Sequence, residues 1–180
     1  MKKEISETIE IPQGVSISYD SINLLVKGPK GEVKRTFVDP QIKIKVENNK
    51  LNINCKKSTK RESKKIYSYK AHFKNMILGV QSPFVYKLKI CSGHFPMNVS
   101  VSGEKFIVKN FLGEKIPREM KIKKGVNIKI AGDQILIESS DVEIAGNTAS
   151  NIEQLVKISK RDLRVFQDGI YLIEKAGEPL

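Results

Sequence analysis

Hydrophobic residues alternate with polar ones through much of the first 55 residues. The alternating stretches are 15–19, 22–26, 42–46 and 51–55. A period of two is typical of a β-strand with one buried face, and strands so close in sequence pair antiparallel. Gly28-Pro29-Lys30-Gly31 and Asn48-Asn49 lie between such stretches and predict turns. This part of the chain is therefore predicted to form antiparallel sheet.

After Cys55 the spacing of apolar residues becomes helical, which predicts an α-helix over about 62–78. Its apolar stripe is Ile66, Tyr69, Phe73, Met76, Ile77 and Val80. A second stripe, Ala145, Ala149, Ile152, Leu155 and Val156, predicts a second helix. The stretches 84–90 and 170–173 each predict a strand that closes a copy of this pattern.

The chain repeats itself at an offset of 84 residues. Segment 11–18 aligns with segment 95–102, with Pro, Val and both Ser identical, and the apolar positions of 42–53 match those of 126–137. A twofold duplication is predicted, with domains 1–82 and 83–180. The predicted class is α+β, with two tandem duplicated units that each pack an antiparallel sheet against one α-helix.

Positive charge is in excess, with 32 Lys and Arg against 20 Asp and Glu and a net charge of +12. A protein of this charge binds polyanions through the release of counterions. The excess is concentrated in residues 56–74 and 105–129. A lysine run also serves simply to solvate a surface, so charge alone leaves both readings open.

Motifs for catalysis, cofactors and metals are not visible. The sequence has no GxxxxGK[ST], GxGxxG, CxxC or HExxH. Its longest apolar run, Ile170-Tyr171-Leu172-Ile173, is far short of the ~20 residues that span a bilayer. Its first residues lack the pattern of a secretory signal peptide, and two cysteines offer too few disulfides to stabilise a fold of this size. We therefore expect a soluble cytoplasmic protein with no enzymatic activity, cofactor, metal or membrane partner.

The C-terminal part carries the most specific motif. It reads Arg164-x-Phe166-x-Asp168-Gly169-Ile170-Tyr171-Leu172, followed by Lys175. This motif resembles the signature of the large-subunit ribosomal protein six family, in its archaeal and eukaryotic form. Segments 94–99, 110–115, 26–31 and 75–80 are similar to the same family. The resemblance covers nearly the whole chain, and the duplication known in that family agrees with the internal repeat.

The resemblance implies a structural constituent of the large ribosomal subunit, located in the cytoplasmic ribosome. It implies binding to large-subunit ribosomal RNA near the stalk base and the sarcin–ricin loop. Neighbouring ribosomal proteins at the stalk base and nearby translational GTPases are the other implied partners. The second domain is implied to make the main RNA contact, although the first is more basic. A free-standing basic RNA-binding module outside the ribosome is the alternative.

Candidate RNA-binding residues cluster around the C-terminal motif. If the second helix continues, four of its basic residues share one face and could bind phosphates; a solvated helix end is the plainer reading. The ring of Tyr171 is expected to face RNA or a neighbouring element, Phe166 to be core, and Gly169 to supply an unusual φ at a turn. The full predicted set is Lys157, Lys160, Arg161, Arg164, Tyr171, Lys175, Lys109, Lys115 and Arg118.

Overall fold

Two units make up the computed structural model, Met1–Pro83 and Phe84–Leu180. The structure describes residues 3–20, 22–47 and 49–180. Each unit contains antiparallel strands and one long helix, so the α+β class and the tandem arrangement are confirmed.

The first unit has six strands followed by a helix. They are β1 (Lys3–Glu10), β2 (Ser16–Asp20), β3 (Asn23–Gly28), β4 (Gly31–Thr36), β5 (Lys43–Glu47), β6 (Lys50–Ser58) and α1 (Lys60–Gln81). The strands form two antiparallel sheets, β1-β6-β5 and β2-β3-β4, where the pattern predicted one. Glu47 pairs with Lys50 across the predicted β5–β6 turn, and Asn49 has a positive φ of 58°. Asn48 lies outside the described residues.

Helix α1 begins at a capping box, where Thr59 and Glu62 satisfy each other's backbone N–H groups. Its apolar stripe packs on both sheets, with Ile66, Phe73 and Val80 fully buried against strand residues such as Leu24 and Ile53. Gly28, in turn, permits close packing of β3 on the end of α1. A Cβ atom placed there would lie 2.7–2.8 Å from side-chain and backbone atoms of Val80.

The second unit has eight strands and one helix. They are β7 (Phe84–Cys91), β8 (Asn98–Ser102), β9 (Lys105–Lys109), β10 (Arg118–Lys121), β11 (Asn127–Ala131), β12 (Gln134–Ser139), α2 (Val142–Leu155), β13 (Gly169–Lys175) and β14 (Glu178–Pro179), with a short 3₁₀ turn at Phe111–Gly113. Its sheets are β10-β9-β8 and β11-β12-β7-β13-β14. The core includes Tyr86, Leu88, Phe106, Ile137, Ile152 and Ile170.

Strand β7 was predicted to close the first copy, and this is wrong. Its residues pair with β12 on one side and with β13 on the other, so it lies at the centre of the second unit's larger sheet. Sequence order alone suggested the first copy because β7 follows α1 directly. Hydrogen-bond partners decide membership, and those of β7 come from later in the chain.

Helix α2 ends at Leu155, so it does not continue through Arg164 and the condition for a shared helical face is not met. Nη1 of Arg118 donates to the carbonyl oxygen of Leu155 at 2.8 Å, which satisfies a helix-end carbonyl without another turn. Lys160 then adopts a positive φ of 60°, a conformation outside the right-handed helical region. The chain from Val156 to Asp168 is irregular, and its basic residues share no helical face.

Candidate nucleic-acid interface

The segment 156–168, here called the basic loop, joins α2 to β13 in the second unit. Val156 and Ile158 are buried at its start, and Asp168 is buried at its end. Between these anchors Lys157, Lys160, Arg161 and Arg164 are all exposed. Both ends of the loop are thus fixed to the protein while its cations face solvent.

Asp168 ties the end of the basic loop to the segment that follows β7. Its carboxylate accepts hydrogen bonds from the backbone N–H of Gly93 at 2.5 Å and of His94 at 3.0 Å, and from the His94 Nδ1 at 2.5 Å. Burial by itself would raise the pKa of this carboxyl. The hydrogen bonds from His94 and Gly93 outweigh burial and hold the pKa of Asp168 below its usual value.

Phe166 is half-buried and packs against the core of the second unit. Its ring stacks on the His94 imidazole, with centroids 4.7 Å apart and planes 25° apart. The guanidinium carbon of Arg161 lies 4.8 Å from the centroid of the same ring. A cation held over an aromatic face is oriented before any ligand arrives, so Phe166 positions Arg161.

Arg164 forms an ion pair within the basic loop, although 89% of its side chain is exposed. Its Nη2 lies 2.8 Å from Oδ2 of Asp162, and its backbone N–H donates to Oδ1 at 2.9 Å. These hydrogen bonds lower the pKa of the Asp162 carboxyl. An ion pair this exposed is weak, so a phosphate can displace the carboxylate at little cost.

Arg118 differs from the loop cations because its donors are used within the protein. Nε and Nη2 donate to the two carboxylate oxygens of Glu114 at 2.8 and 2.6 Å, and Nη1 donates to the Leu155 carbonyl. Its guanidinium carbon also lies 4.3 Å from the centroid of the Phe111 ring. A guanidinium has five N–H groups, and few of these remain for a phosphate. The structure therefore assigns Arg118, predicted as an RNA contact, a role in holding the loop.

Glu114 links the basic loop to the neighbouring segment. The hydrogen bonds from Arg118 lower the pKa of the Glu114 carboxyl, and the charge of Arg161 lowers it further. Arg161 therefore lies within electrostatic reach of Glu114.

Tyr171 projects from β13 and is 44% exposed. Its hydroxyl donates to the Gln167 carbonyl oxygen at 3.1 Å, so the ring is held across the end of the basic loop. Gly169 has no positive φ, and the predicted turn is wrong; β13 already begins there. A Cβ atom at Gly169 would lie 3.0 Å from the Tyr171 ring, so this glycine makes room for the tyrosine.

Three predicted lysines complete the set. Lys109 ends β9, Lys115 follows the 3₁₀ turn and Lys175 ends β13. All three are exposed, and none forms an ion pair with another residue of the described ranges. They stay predicted RNA contacts.

Sequence reasoning missed the supports of the basic loop. These supports are the hydrogen-bonded pairs His94–Asp168 and Glu114–Arg118, and the periodicity of the sequence does not show that these side chains meet. His94 and Glu114 lie in segments 94–99 and 110–115, which are similar to the family, and this similarity is the signal that could have found them. In residues 3–20, 22–47 and 49–180, no group of three or more His, Cys, Asp or Glu side chains could hold a metal ion. Within the same ranges, no helix is long and apolar enough to cross a membrane.

Taken together, the duplicated α+β units and the anchored loop define a basic protein with a cluster of exposed cations in its second unit. The family model described as ribosomal protein L6 matches this chain twice, over residues 11–82 and 95–169. The chain belongs to this family of structural, non-enzymatic ribosomal proteins. The resemblance inferred from the motifs is confirmed, and so are the absence of an enzymatic role and a location in the cytoplasmic ribosome.

Three archaeal relatives are similar over nearly the full chain, and each is named large ribosomal subunit protein uL6. The relative from Methanosarcina mazei is 44% identical over 176 residues, covering 98% of this chain and 100% of the relative. That from Methanococcus vannielii is 43% identical over 176 residues, covering 98% and 97%. That from Nanoarchaeum equitans is 46% identical over 182 residues, covering 97% and 95%.

Proposed function

We propose that this chain is a structural constituent of the large ribosomal subunit and binds large-subunit ribosomal RNA near the stalk base and the sarcin–ricin loop. The basic loop makes the main contact. Neighbouring ribosomal proteins at the stalk base are its protein partners, and translational GTPases dock nearby. The observation that carries this proposal is the set of exposed cations on a loop anchored at both ends.

Anchoring matters because ordering a flexible loop on binding costs free energy. Arg118 holds the loop where it leaves α2, and Asp168 holds it where it enters β13. Much of that ordering is therefore complete before RNA arrives, and binding is stronger for the same contacts. Lysine and arginine contacts to phosphates position a protein on RNA without reading base sequence. A structural protein that braces RNA helices against each other needs contacts of this type.

The charge on the loop also predicts how binding responds to salt. If the protein neutralises ~6–10 phosphates, its affinity should fall by ~10³–10⁵ between 50 and 200 mM salt. Binding of the full chain to a purified large-subunit RNA fragment, measured across that range, tests this. An affinity that hardly changes would contradict the interpretation that the excess positive charge binds a polyanion.

Chemical probing of large-subunit ribosomal RNA with and without the chain tests the location. We expect protection near the stalk base and the sarcin–ricin loop, weakened by K157Q/K160Q. The matched control is K123Q/K124Q, which removes two exposed positive charges from the same unit but outside the basic loop. Equal weakening of the RNA protection by the two variants would contradict the assignment of the basic loop as the main RNA contact.

The alternative, a free-standing RNA-binding module, predicts a different sedimentation result. A constituent of the subunit co-sediments with large subunits in high salt, because many contacts act together. A free-standing module is released. Release of this chain at moderate salt would favour the alternative.

A further inference from the structure

A second polar surface lies in the first unit, on the outer face of the sheet β1-β6-β5. Strand β6 buries Leu51 and Ile53 and turns Asn52 and Asn54 to the opposite side. Across the sheet, Asn54 pairs with one residue of each neighbouring strand, and so does Asn52. The six residues of these two rows, here called the polar face, are Ser6, Asn54, Lys43, Thr8, Asn52 and Lys45.

Hydrogen bonds within the polar face orient its amides. The Ser6 hydroxyl donates to Oδ1 of Asn54 at 2.7 Å, and the Thr8 hydroxyl donates to Oδ1 of Asn52 at 3.0 Å. With each Oδ1 so occupied, both N–H groups of each amide remain for a ligand. The two rows are about 6.7 Å apart along the strand, because residues two apart in a β-strand are separated by two rises. The face therefore presents repeated donors at a fixed spacing.

Lysines line the β5 edge of the polar face. Lys43 has no ion pair with another described residue, and Lys45 lies 3.6 Å from the exposed carboxylate of Glu47. Beside them a concavity of about 690 Å³ is also lined by Lys56 and Lys57. Two acidic residues, Glu4 and Glu62, line it as well. Four lysines line the concavity against these two carboxylates, so the edge keeps a positive balance.

The duplication supplies an internal comparison. Val85 pairs with Glu138 in the second unit as Ser6 pairs with Asn54, and Lys87 pairs with Leu136 as Thr8 pairs with Asn52. There the valine and leucine offer no side-chain donor. The ammonium of Lys87 is 2.5 Å from Glu174, and Glu138 is 3.3 Å from Lys129. The row of free donors is therefore a feature of the first unit and not a necessity of the fold.

We propose that the polar face binds a double-helical RNA segment across its minor groove. The A-form minor groove is wide and shallow and displays 2′-hydroxyls, which suits an open sheet face carrying amides and hydroxyls. The lysines at the edge lie where the flanking phosphates pass. The six residues of the face include no aromatic side chain, so unpaired bases would have no ring to stack on.

This surface gives the basic first unit a ligand of its own. It rests on the proposed function, because a second RNA segment is available to a protein built into an RNA assembly. Its residues are separate from those of the basic loop, so each site can fail without the other.

NMR titration of the full chain, labelled with ¹⁵N, separates the two sites. The probes are a 12-base-pair RNA duplex and a DNA duplex of the same sequence. We expect the side-chain amides of Asn52 and Asn54 to shift with RNA and far less with DNA. Shifts in the basic loop but none on the polar face would overturn this inference and leave the proposed function standing. Shifts on the polar face without any in the basic loop would support this inference and contradict the proposed function of the loop. Equal shifts with the DNA duplex would contradict the recognition of 2′-hydroxyls by the polar face.

Variants of the full chain give the matching affinities. N52A/N54A should lose most of the preference for RNA over DNA while the dependence on salt stays the same. K43Q/K56Q should flatten the slope of log affinity against log salt by about two. The control K30Q/K34Q removes two exposed charges from β4 and the β3–β4 turn of the same unit and should leave both the salt slope and the preference for RNA unchanged. Equal flattening of the slope by K43Q/K56Q and the control, or an unchanged preference in N52A/N54A, would overturn the proposal.

Discussion

Asp168 and His94 are joined by a hydrogen bond of 2.5 Å between a carboxylate oxygen and the imidazole Nδ1. The carboxylate also accepts two backbone N–H groups from the same segment. The two side chains are 74 residues apart in sequence, so this contact ties the segment after β7 to the start of β13. It is the anchor on which the end of the basic loop depends.

Replacing Asp168 should destabilise the protein. In Asp168→Asn the charged acceptor of three hydrogen bonds is lost, and an amide N–H₂ group replaces one of the two accepting oxygens; we expect a loss of ~2–4 kcal/mol in the free energy of unfolding. Urea denaturation measures it. Asp162→Asn is the control, since that carboxylate pairs only at the exposed surface and its loss should change the free energy of unfolding far less. Equal losses would contradict the anchoring role.

The same carboxylate predicts a dependence on pH. The pKa of Asp168 is lower in the folded protein than the ~3.9 of an unfolded chain. Its contribution is therefore complete above about pH 5 and is lost as the pH falls through the folded pKa. The difference in unfolding free energy between the wild type and Asp168→Asn should shrink as the pH falls below about 4. A constant difference down to pH ~2 would argue against it.

Arg118 is expected to act on stability more than on RNA. Arg118→Ala removes the bidentate pair with Glu114 and the bond to the Leu155 carbonyl, and should lower stability by ~1–3 kcal/mol. Arg118→Lys should not restore it, because an ammonium cannot make both contacts in one plane. The salt slope of RNA binding, measured on folded protein, should hardly change. A slope flattened by about one would return Arg118 to the RNA-binding set.

Arg161 and Arg164 are expected to show the opposite behaviour. R161A/R164A should leave stability nearly unchanged, since both side chains are exposed, but should flatten the salt slope by about two. Phe166→Ala should cost ~2–3 kcal/mol, less than for a fully buried ring, because this ring is half-buried. Thermal stability and RNA binding are measured together on both variants. If the double variant unfolds with unchanged binding per folded molecule, the roles are reversed.

Gly28→Ala should destabilise the first unit by ~1–3 kcal/mol. The new methyl group would lie 2.8 Å from the backbone oxygen of Val80, and backbone cannot move aside as a flexible side chain can. Gly93→Ala is the matched control, because the nearest atom to a Cβ there is 3.9 Å away. Calorimetry of the full chain should show the loss for the first variant only.

Much of this protein follows from its sequence by itself. The period of two and the helical stripes arise because each element buries one face, so they predict strands and helices wherever that face is apolar. Phe73 in α1 and Ile152 in α2 were placed in the core by spacing alone, and both are fully buried. The repeat at 84 residues and the C-terminal motif then indicated the duplication and the family. Positive charge, summed over the chain, pointed to a polyanion.

What tertiary structure decided is which distant groups meet. Local periodicity reports burial, not partners, so it gave β7 as the closing strand of the first copy and could not show two sheets in each unit. Nor could it end α2, because the group that satisfies the Leu155 carbonyl comes from Arg118, 37 residues earlier. Gly169 is explained by the ring of Tyr171 and not by its own φ. The four cations of the basic loop were identified from sequence, but their common placement depends on Asp168, His94 and Arg118, whose contacts form only when the chain folds.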